Sequence, residues 1–279
     1  MSKTSNLTLL AARYRKMPNP GFSDGVNVSD ASSFLGAQIG MNTKELLEQQ
    51  SCFEVDQCYF CSTILDLPLA GEAFDYECFY NELRKYSAIV PDTLVNAYEC
   101  VCWGYILRHV ANNICRSTRL LMHIADVDVL NLVHWRANDA WGYSGFGIMS
   151  LLFELSPETI GDVVVGSART EQHVTEFVLE LRKFAEAYAG LPIALPYLPQ
   201  AISGIFTRPM AKHHCLPDLH PQLGHCFGSD PWIGIVRHAQ ASQRPHNSFI
   251  ASSIALNGYW AMAHVHVPAE ASLSWKDCS

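Results

Sequence analysis

The sequence predicts an α/β protein built from two similar halves around a largely parallel, buried sheet. Apolar runs of strand length alternate with segments of helical spacing along the whole chain. The order of these runs in residues 1–158 returns in residues 159–279, which implies an internal duplication, and no low-complexity linker separates the two halves. With 279 residues, 49% of them hydrophobic, the chain is long enough to bury a large core.

The first half reads in order. LTLLAARY (7–14) is a strand, and VDQCYFCSTIL (55–65) is a second. DYECFYNELRKYS (75–87) has helical spacing, and DTLVNAY (92–98) is a short strand. WGYILRHVANNIC (103–115) is a helix with Tyr105, Ile106, Val110 and Ile114 as its apolar positions. TRLLMHIADVDVL (118–130) and SGFGIMSLLFEL (144–155) are apolar strands.

The second half follows the same rhythm. DVVVGSA (162–168) is a strand. EQHVTEFVLELRKFAEAYAG (171–190) is an amphipathic helix with Val174, Phe177, Val178, Leu181, Phe184 and Ala185 on one face, ended by Gly190. LPIALPYLPQAI (191–202) is a strand, a loop and a helix start. DPWIGIVRHAQAS (230–242) is a helix in which Asp230 suits the N-cap and Pro231 the first turn. NSFIASSIAL (247–256) and YWAMAHVHV (259–267) close the chain as strands joined at the turn Asn257-Gly258. SWKDCS (274–279) reads as a frayed tail.

Charge narrows the function classes. The formal net charge is -8 and no long basic run occurs, which argues against nucleic acid as a partner. The N-terminal segment has no secretory apolar core, and no run approaches the ~20 apolar residues of a membrane helix. The expectation is a soluble cytoplasmic protein without a membrane partner. Its ten cysteines are then reduced thiols. Cys58-x-x-Cys61 lies in a strand, and a zinc site there would need a second ligand pair, for which HHC (213–215) is the available candidate. Small buried hydrophobes are the simpler reading, and no metal is expected.

Two cysteines bear on chemistry. In NAYECVCWGYILRHVANNI (96–114), Cys102 ends a strand and turn and opens a helix, where unpaired N–H groups and the helix dipole stabilise a thiolate. Cys100, two residues earlier, is expected to lie deeper. Cys102 is therefore the candidate nucleophile, with a packed thiol as the rival reading. His225, in the glycine-containing loop GHCFGSDPW (224–232), is the candidate acid/base. His264 and His266 share one strand face and suit a structural role.

Taken together, these segments resemble the thiolase superfamily in its ketoacyl-ACP synthase III-like branch, as a short and divergent member. Cys102-Trp103-Gly104-Tyr105 stands in the Cys-x-Gly-Phe slot of the family's nucleophile segment. TRLLMHIADVD resembles the following strand, and GYSGFGIMSLLFEL the glycine-containing strand that ends the first half. GHCFGSDPWIGI falls at the family's Gly-Asn loop and helix, and SSIALNGYWAMAHVHV at its closing hairpin.

The resemblance implies a five-layer α-β-α-β-α fold from two pseudo-repeated halves. It also implies a cysteine that takes an acyl group from a thioester and passes it to a second nucleophile. The donor would be acyl-CoA or a phosphopantetheinyl acyl carrier protein, as substrate rather than a permanently bound cofactor. Cys102 and His225 are the implied catalytic residues, the N–H groups of Cys102 and Gly258 the oxyanion hole, and Asn257 and Asp230 supporting groups. A homodimer, or a heterodimer with a paralogous ketoacyl synthase-like subunit, would pair through DTLVNAY. Arg208 and Lys212 are candidate contacts for an acidic carrier protein.

Two motifs depart from the family. Leu198-Pro199-Gln200-Ala201 occupies the Pro-His-Gln-Ala position, and His225 stands at the family's asparagine. Decarboxylative condensation relies on that His/Asn pair. The readings left open are a cysteine-dependent acyltransferase or condensing enzyme of specialised-metabolite or fatty-acyl biosynthesis, and a non-catalytic thiolase-like partner subunit of a heteromeric condensing enzyme.

Overall fold

The computed structural model describes residues 5–17, 28–48, 54–61, 74–95, 97–126, 137–138, 142–169, 171–240 and 247–276. The strands of the first half are β1 (Leu7–Lys16), β2 (Gln57–Cys61), β3 (Thr93–Val95), β4 (Thr118–Asp126) and β7 (Gly147–Leu155). They lie in the order β3-β2-β4-β7-β1. Strand β7 runs antiparallel to both β4 and β1, whereas β2 is parallel to β3 and β4.

The second half repeats this plan with β8 (Val163–Ser167), β9 (Ile193–Ala194), β10 (Ser248–Ile254) and β11 (Tyr259–His266). Here β11 is antiparallel to β10 and β8, and β9 is parallel to β10. A single parallel bridge, Ile193 to Cys215, stands where β3 stands in the first half. The two sheets meet at one corner, where Thr8 pairs with His266. A small hairpin, β5 (Ala137–Asn138) and β6 (Gly142–Tyr143), lies apart from both.

Helices fill the spaces between and outside the sheets, giving the five layers. The outer helices α1 (Val28–Glu48) and α2 (Tyr76–Arg84) place Leu35, Ile39, Phe79 and Leu83 against Phe60 and Ile148 of the first sheet. The central layer holds α3 (Cys102–Asn113) and α7 (Asp230–Gln240), whose Trp103, Leu107, Trp232 and Ile235 pack against both sheets. On the far side, α4 (His173–Ala187) and α5 (Gln200–Thr207) cover Ile250, Trp260 and Met262. Strands of both sheets are apolar on both faces because each sheet is covered twice. Among the described residues, no helix is long and apolar enough to cross a membrane.

Two elements depart from the sequence reading. Helix α1 was not read from the sequence, because its buried face mixes Ala31, Leu35, Ile39 and Leu46 with Ser32, Gly36, Gly40, Asn42 and Thr43. Those polar groups are used: Asn42 donates to Ser150 Oγ at 2.7 Å, and Ser150 faces His123 Nδ1 at 2.8 Å. Thr43 Oγ1 lies 3.3 Å from His123 Nε2 and donates to the Ile39 carbonyl at 2.8 Å. Burial holds the His123 imidazole down at about 3, so it stays neutral within this chain of hydrogen bonds. The tail is also ordered through Lys276, not frayed: β12 (Ser272–Lys276) pairs parallel with β1, and Trp275 packs on Tyr14 with ring centroids 4.6 Å apart. The alternation of SLSWK is too short and too half-buried to signal a strand by pattern.

Gly36 sets the approach of α1 to α2. A Cβ there would lie 2.2 Å from the Phe79 carbonyl oxygen. Gly36→Ala gains ~1 kcal/mol of helix propensity but must displace backbone, an overpacking cost of about 1–3 kcal/mol. We expect a net loss of stability, read as a lower urea midpoint at an unchanged slope.

Candidate active site

Each half carries one strand-turn-helix elbow, and the pseudo-symmetry makes the two elbows meet. In the first, Tyr98 and Glu99 adopt left-handed φ of 69° and 45°, followed by a 3-10 turn over Glu99–Val101 and then α3. Non-glycine residues hold such φ values only where the surroundings enforce them. The Tyr98 ring stacks on Tyr105 with centroids 4.0 Å apart and meets Tyr259 edge-on at 5.2 Å. In the second elbow, Phe227 has φ 48° in a 3-10 turn over Phe227–Ser229 that leads into α7. A Cβ on Gly228 would come within 3.4 Å of the Cys100 carbonyl oxygen, so the two turns are in contact.

The structure pairs His225 with Cys100, not with Cys102. Cys100 Sγ lies 3.9 Å from His225 Nε2, and both residues line an apolar cavity of about 230 Å³ with Leu198, Phe206, Phe227 and Leu256. Cys102 points elsewhere. It is 3% exposed, its sulfur lies 4.0 Å from the Val95 carbonyl, and its thiol contacts that of Cys61. The reason is rotational. The segment is already helical at Cys100, and residues two apart on a helix point to nearly opposite sides.

Asp230 orients the imidazole. The sequence places this residue at an N-cap, but its carboxylate is turned back: Oδ2 lies 2.7 Å from His225 Nδ1 and accepts Tyr197 N–H at 2.9 Å, while Oδ1 accepts Cys226 N–H at 2.6 Å. His225 Nδ1 also lies 2.9 Å from the Tyr197 carbonyl. Both neighbours accept, so the proton resides on Nδ1, and Nε2, which faces the thiol, is the accepting nitrogen. Burial opposes protonation of His225, yet the Asp230 carboxylate, the Tyr197 carbonyl and Asp126 together carry it above its ordinary value.

The expected oxyanion donors are already committed. Cys102 N–H donates to the Glu99 carbonyl, and Gly258 N–H to the Ala255 carbonyl at 3.2 Å. Gly258 serves the turn, with φ 93° and the Ala168 carbonyl 2.3 Å from where a Cβ would be. Asn257 is exposed on that turn and is not brought to the thiol.

The sequence reading also missed two acids. Glu99, beside the thiol on the cavity wall, accepts the Leu256 N–H at 3.0 Å and ties the elbow to the closing hairpin. Asp126, at the end of β4, accepts Ser229 Oγ–H at 2.9 Å. Neither has a pattern signal, since each gains meaning only when the two elbows meet. Among the described residues no group of three His, Cys, Asp or Glu could hold a metal ion, and Cys58, Cys61 and Cys215 are free thiols.

The sequence matches no protein-family model and no curated protein. Solved structures do match. ChlB3, described as an acyltransferase, aligns with TM-score 0.67 at 10% identity over 95% of this chain and 99% of its own. AbyA1, a tetronic acid condensing enzyme, aligns with TM-score 0.61 at 12% identity over 92% of this chain and 98% of its own. The 3-oxoacyl-(acyl carrier protein) synthase III, FabH, of Pseudomonas aeruginosa PAO1 aligns with TM-score 0.58 at 10% identity over 94% of this chain and 98% of its own. The chain has the ketoacyl synthase III-like form of the thiolase fold. The elbow-to-elbow meeting of Cys100 and His225 is thus set within that fold.

Asp126 gives the site a pH signature. Burial raises its carboxyl to about 7, outweighing the Ser229 hydrogen bonds. A carboxyl raised in the folded state binds more protons than the unfolded chain between its two values, so stability falls as pH rises through that window. The slope is about 1.4 kcal/mol per pH unit where Asp126 alone titrates. Asp126→Asn, which keeps an acceptor for Ser229, should flatten the decline between the usual carboxylate range and pH 7 in urea unfolding. An unchanged slope would show that Asp126 is not its source.

Proposed function

We propose that the protein is a cysteine-dependent acyltransferase that uses acyl thioesters, of CoA or of a carrier protein, with Cys100 as nucleophile and His225 as base. The observation that carries this reading is the line Cys100–His225–Asp230 at the wall of an apolar cavity. His225 Nε2 takes the thiol proton, and the sulfur attacks the thioester carbonyl. The C–S bond to the donor breaks, and the departing thiolate receives the proton back from the imidazolium. An acceptor O–H or N–H then repeats the cycle against the acyl–Cys100 bond. The solved structures described as an acyltransferase and a condensing enzyme support the general class. Pro199, in the family's histidine slot next to Leu198 of the cavity wall, favours acyl transfer over decarboxylative condensation.

The chain is proposed to act as a homodimer, or as a heterodimer with a paralogous ketoacyl synthase-like subunit. Strand β3 ends the sheet order, so its outer edge can take a twin strand. Arg208 and Lys212, both exposed, are proposed contacts for an acidic carrier protein.

Intact-mass spectrometry after incubation with acyl-CoA tests the assignment. Wild type and Cys102→Ala should gain the acyl mass, and Cys100→Ala should not. His225→Ala should slow acylation by roughly 10²–10⁴. Acylation of Cys100→Ala with loss in Cys102→Ala would return the nucleophile to Cys102. A wild type never acylated by any thioester would favour the non-catalytic partner subunit.

A further inference from the structure

The cavity beside the thiol has a mouth and a floor. Glu99 and His173 on its wall are half-buried and Leu256 is 51% exposed, so solvent enters on that side. Phe206, on the same wall, is 4% exposed and marks the closed end. Leu198, Ile202 and Ile254 give the lining its apolar character. A wider cavity of about 510 Å³ lies beside the short helix α6 (His220–Leu223), but among the described residues it shares no lining residue with this one. The room open to a group carried on Cys100 is therefore that of the apolar cavity.

The closed end is a partition. Pro196 and Phe206 line both the thiol cavity and a small one of about 40 Å³, whose other walls include Ala194, Leu216 and Gly234. The backbone ties this partition to the chemistry. Pro196 precedes Tyr197, whose carbonyl lies 2.9 Å from His225 Nδ1 and whose N–H donates to Asp230 at 2.9 Å. Phe206 is held from behind by Phe177 of α4, edge-on with ring centroids 5.8 Å apart. Ile202 and Phe206 are four residues apart on α5, so they stand on one face of that helix, a turn apart.

Resting on the acyl-transfer reading, we infer that Phe206 sets the length of the acyl group, and that the donor carries an apolar acyl chain of medium length. A cavity of about 150 Å³ lined by such residues holds a benzene ring. At about 230 Å³ the thiol cavity takes, by the same ratio, roughly eight or nine carbons. The chain runs from the carbonyl at Cys100 along Leu198 and Ile202 and ends on the Phe206 ring. A charged tail would lose its hydration against this apolar wall. Removing the ring joins the two cavities and frees the space the ring fills.

The test is acylation of Cys100 by butanoyl-, octanoyl- and dodecanoyl-N-acetylcysteamine at equal low concentration, read by intact mass. Wild type should take octanoyl about tenfold faster than either of the others, since each buried methylene favours binding about fourfold until the chamber is full. Phe206→Ala should raise dodecanoyl relative to octanoyl about tenfold. Phe206→Leu should give a smaller shift in the same direction and serves if the alanine variant does not fold. Ile202→Phe narrows the chamber at a half-buried position and should move the preference the other way, to butanoyl. The same length ranking in wild type and in these variants, or a wild type indifferent to length, would overturn the inference. So would Phe206→Ala slowed equally on all three chains, which would make the ring a support of the donor's thiol arm. Octanamide, which transfers nothing, keeps the two readings apart by ligand-observed NMR. It should bind wild type about tenfold more tightly than Ile202→Phe. Octanamide bound in this way with Cys100 never acylated would overturn acyl transfer and leave the apolar chamber standing. Acylation of Cys100 without length preference would do the reverse.

Discussion

The contact between the two elbows is the constraint on which the rest of the molecule depends. One turn delivers a thiol and the other an imidazole, and the two groups face each other across the halves. They meet because α3 and α7 lie side by side in the central layer, with Trp103 and Trp232 edge to face at 5.0 Å. Gly104 lets α3 settle onto the second sheet, where an added Cβ would lie 2.3 Å from Ala261 Cβ. The Trp103 indole also donates to Ser253 on β10 at 3.0 Å. Packing in the middle layer thus fixes a distance between two groups that are 125 residues apart in sequence.

Burial makes that meeting costly and gives it its chemistry. His225 and Asp230 are both nearly without solvent, so a charge on either is destabilised unless the other answers it. Asp230 accepts two backbone N–H groups in addition to the imidazole, which spreads its charge over the turn. Asp126 stands behind this pair with Ser229 between. Two carboxylates around one imidazole cannot both be ionised cheaply, so one of them holds a proton near neutral pH. Asp126, with one oxygen lacking a partner, is that group.

The fold was more legible in the sequence than the site. Strands such as TRLLMHIAD are covered on both faces, so their apolar runs are unbroken, and the repeated order of elements exposed the duplication. Helix α1 escaped because glycines and buried polar groups interrupt the apolar positions Leu35, Ile39 and Leu46 on its packing face. The glycine-flanked loop drew attention to His225, and the structure sets its imidazole between Asp230 and Cys100. That Cys100 rather than Cys102 faces His225 was not legible. It depends on whether Glu99–Val101 is extended or helical, and the left-handed turn at Tyr98 and Glu99 that decides this is held by aromatic contacts to α3 and β11.

That same turn sets how the thiol must be used. Glu99 lies next to Cys100 on the cavity wall, and a carboxylate there opposes a standing thiolate. The start of α3 acts in the other sense through the helix dipole, but its first N–H, that of Cys102, is already bonded to the Glu99 carbonyl. A permanently ionised sulfur is therefore poorly supported by this environment. Under the proposed acyl transfer, this setting suits an imidazole that takes the thiol proton during attack better than one that serves as a counter-ion. Cys102 instead packs beside Cys61, outside the cavity that Cys100 and His225 line.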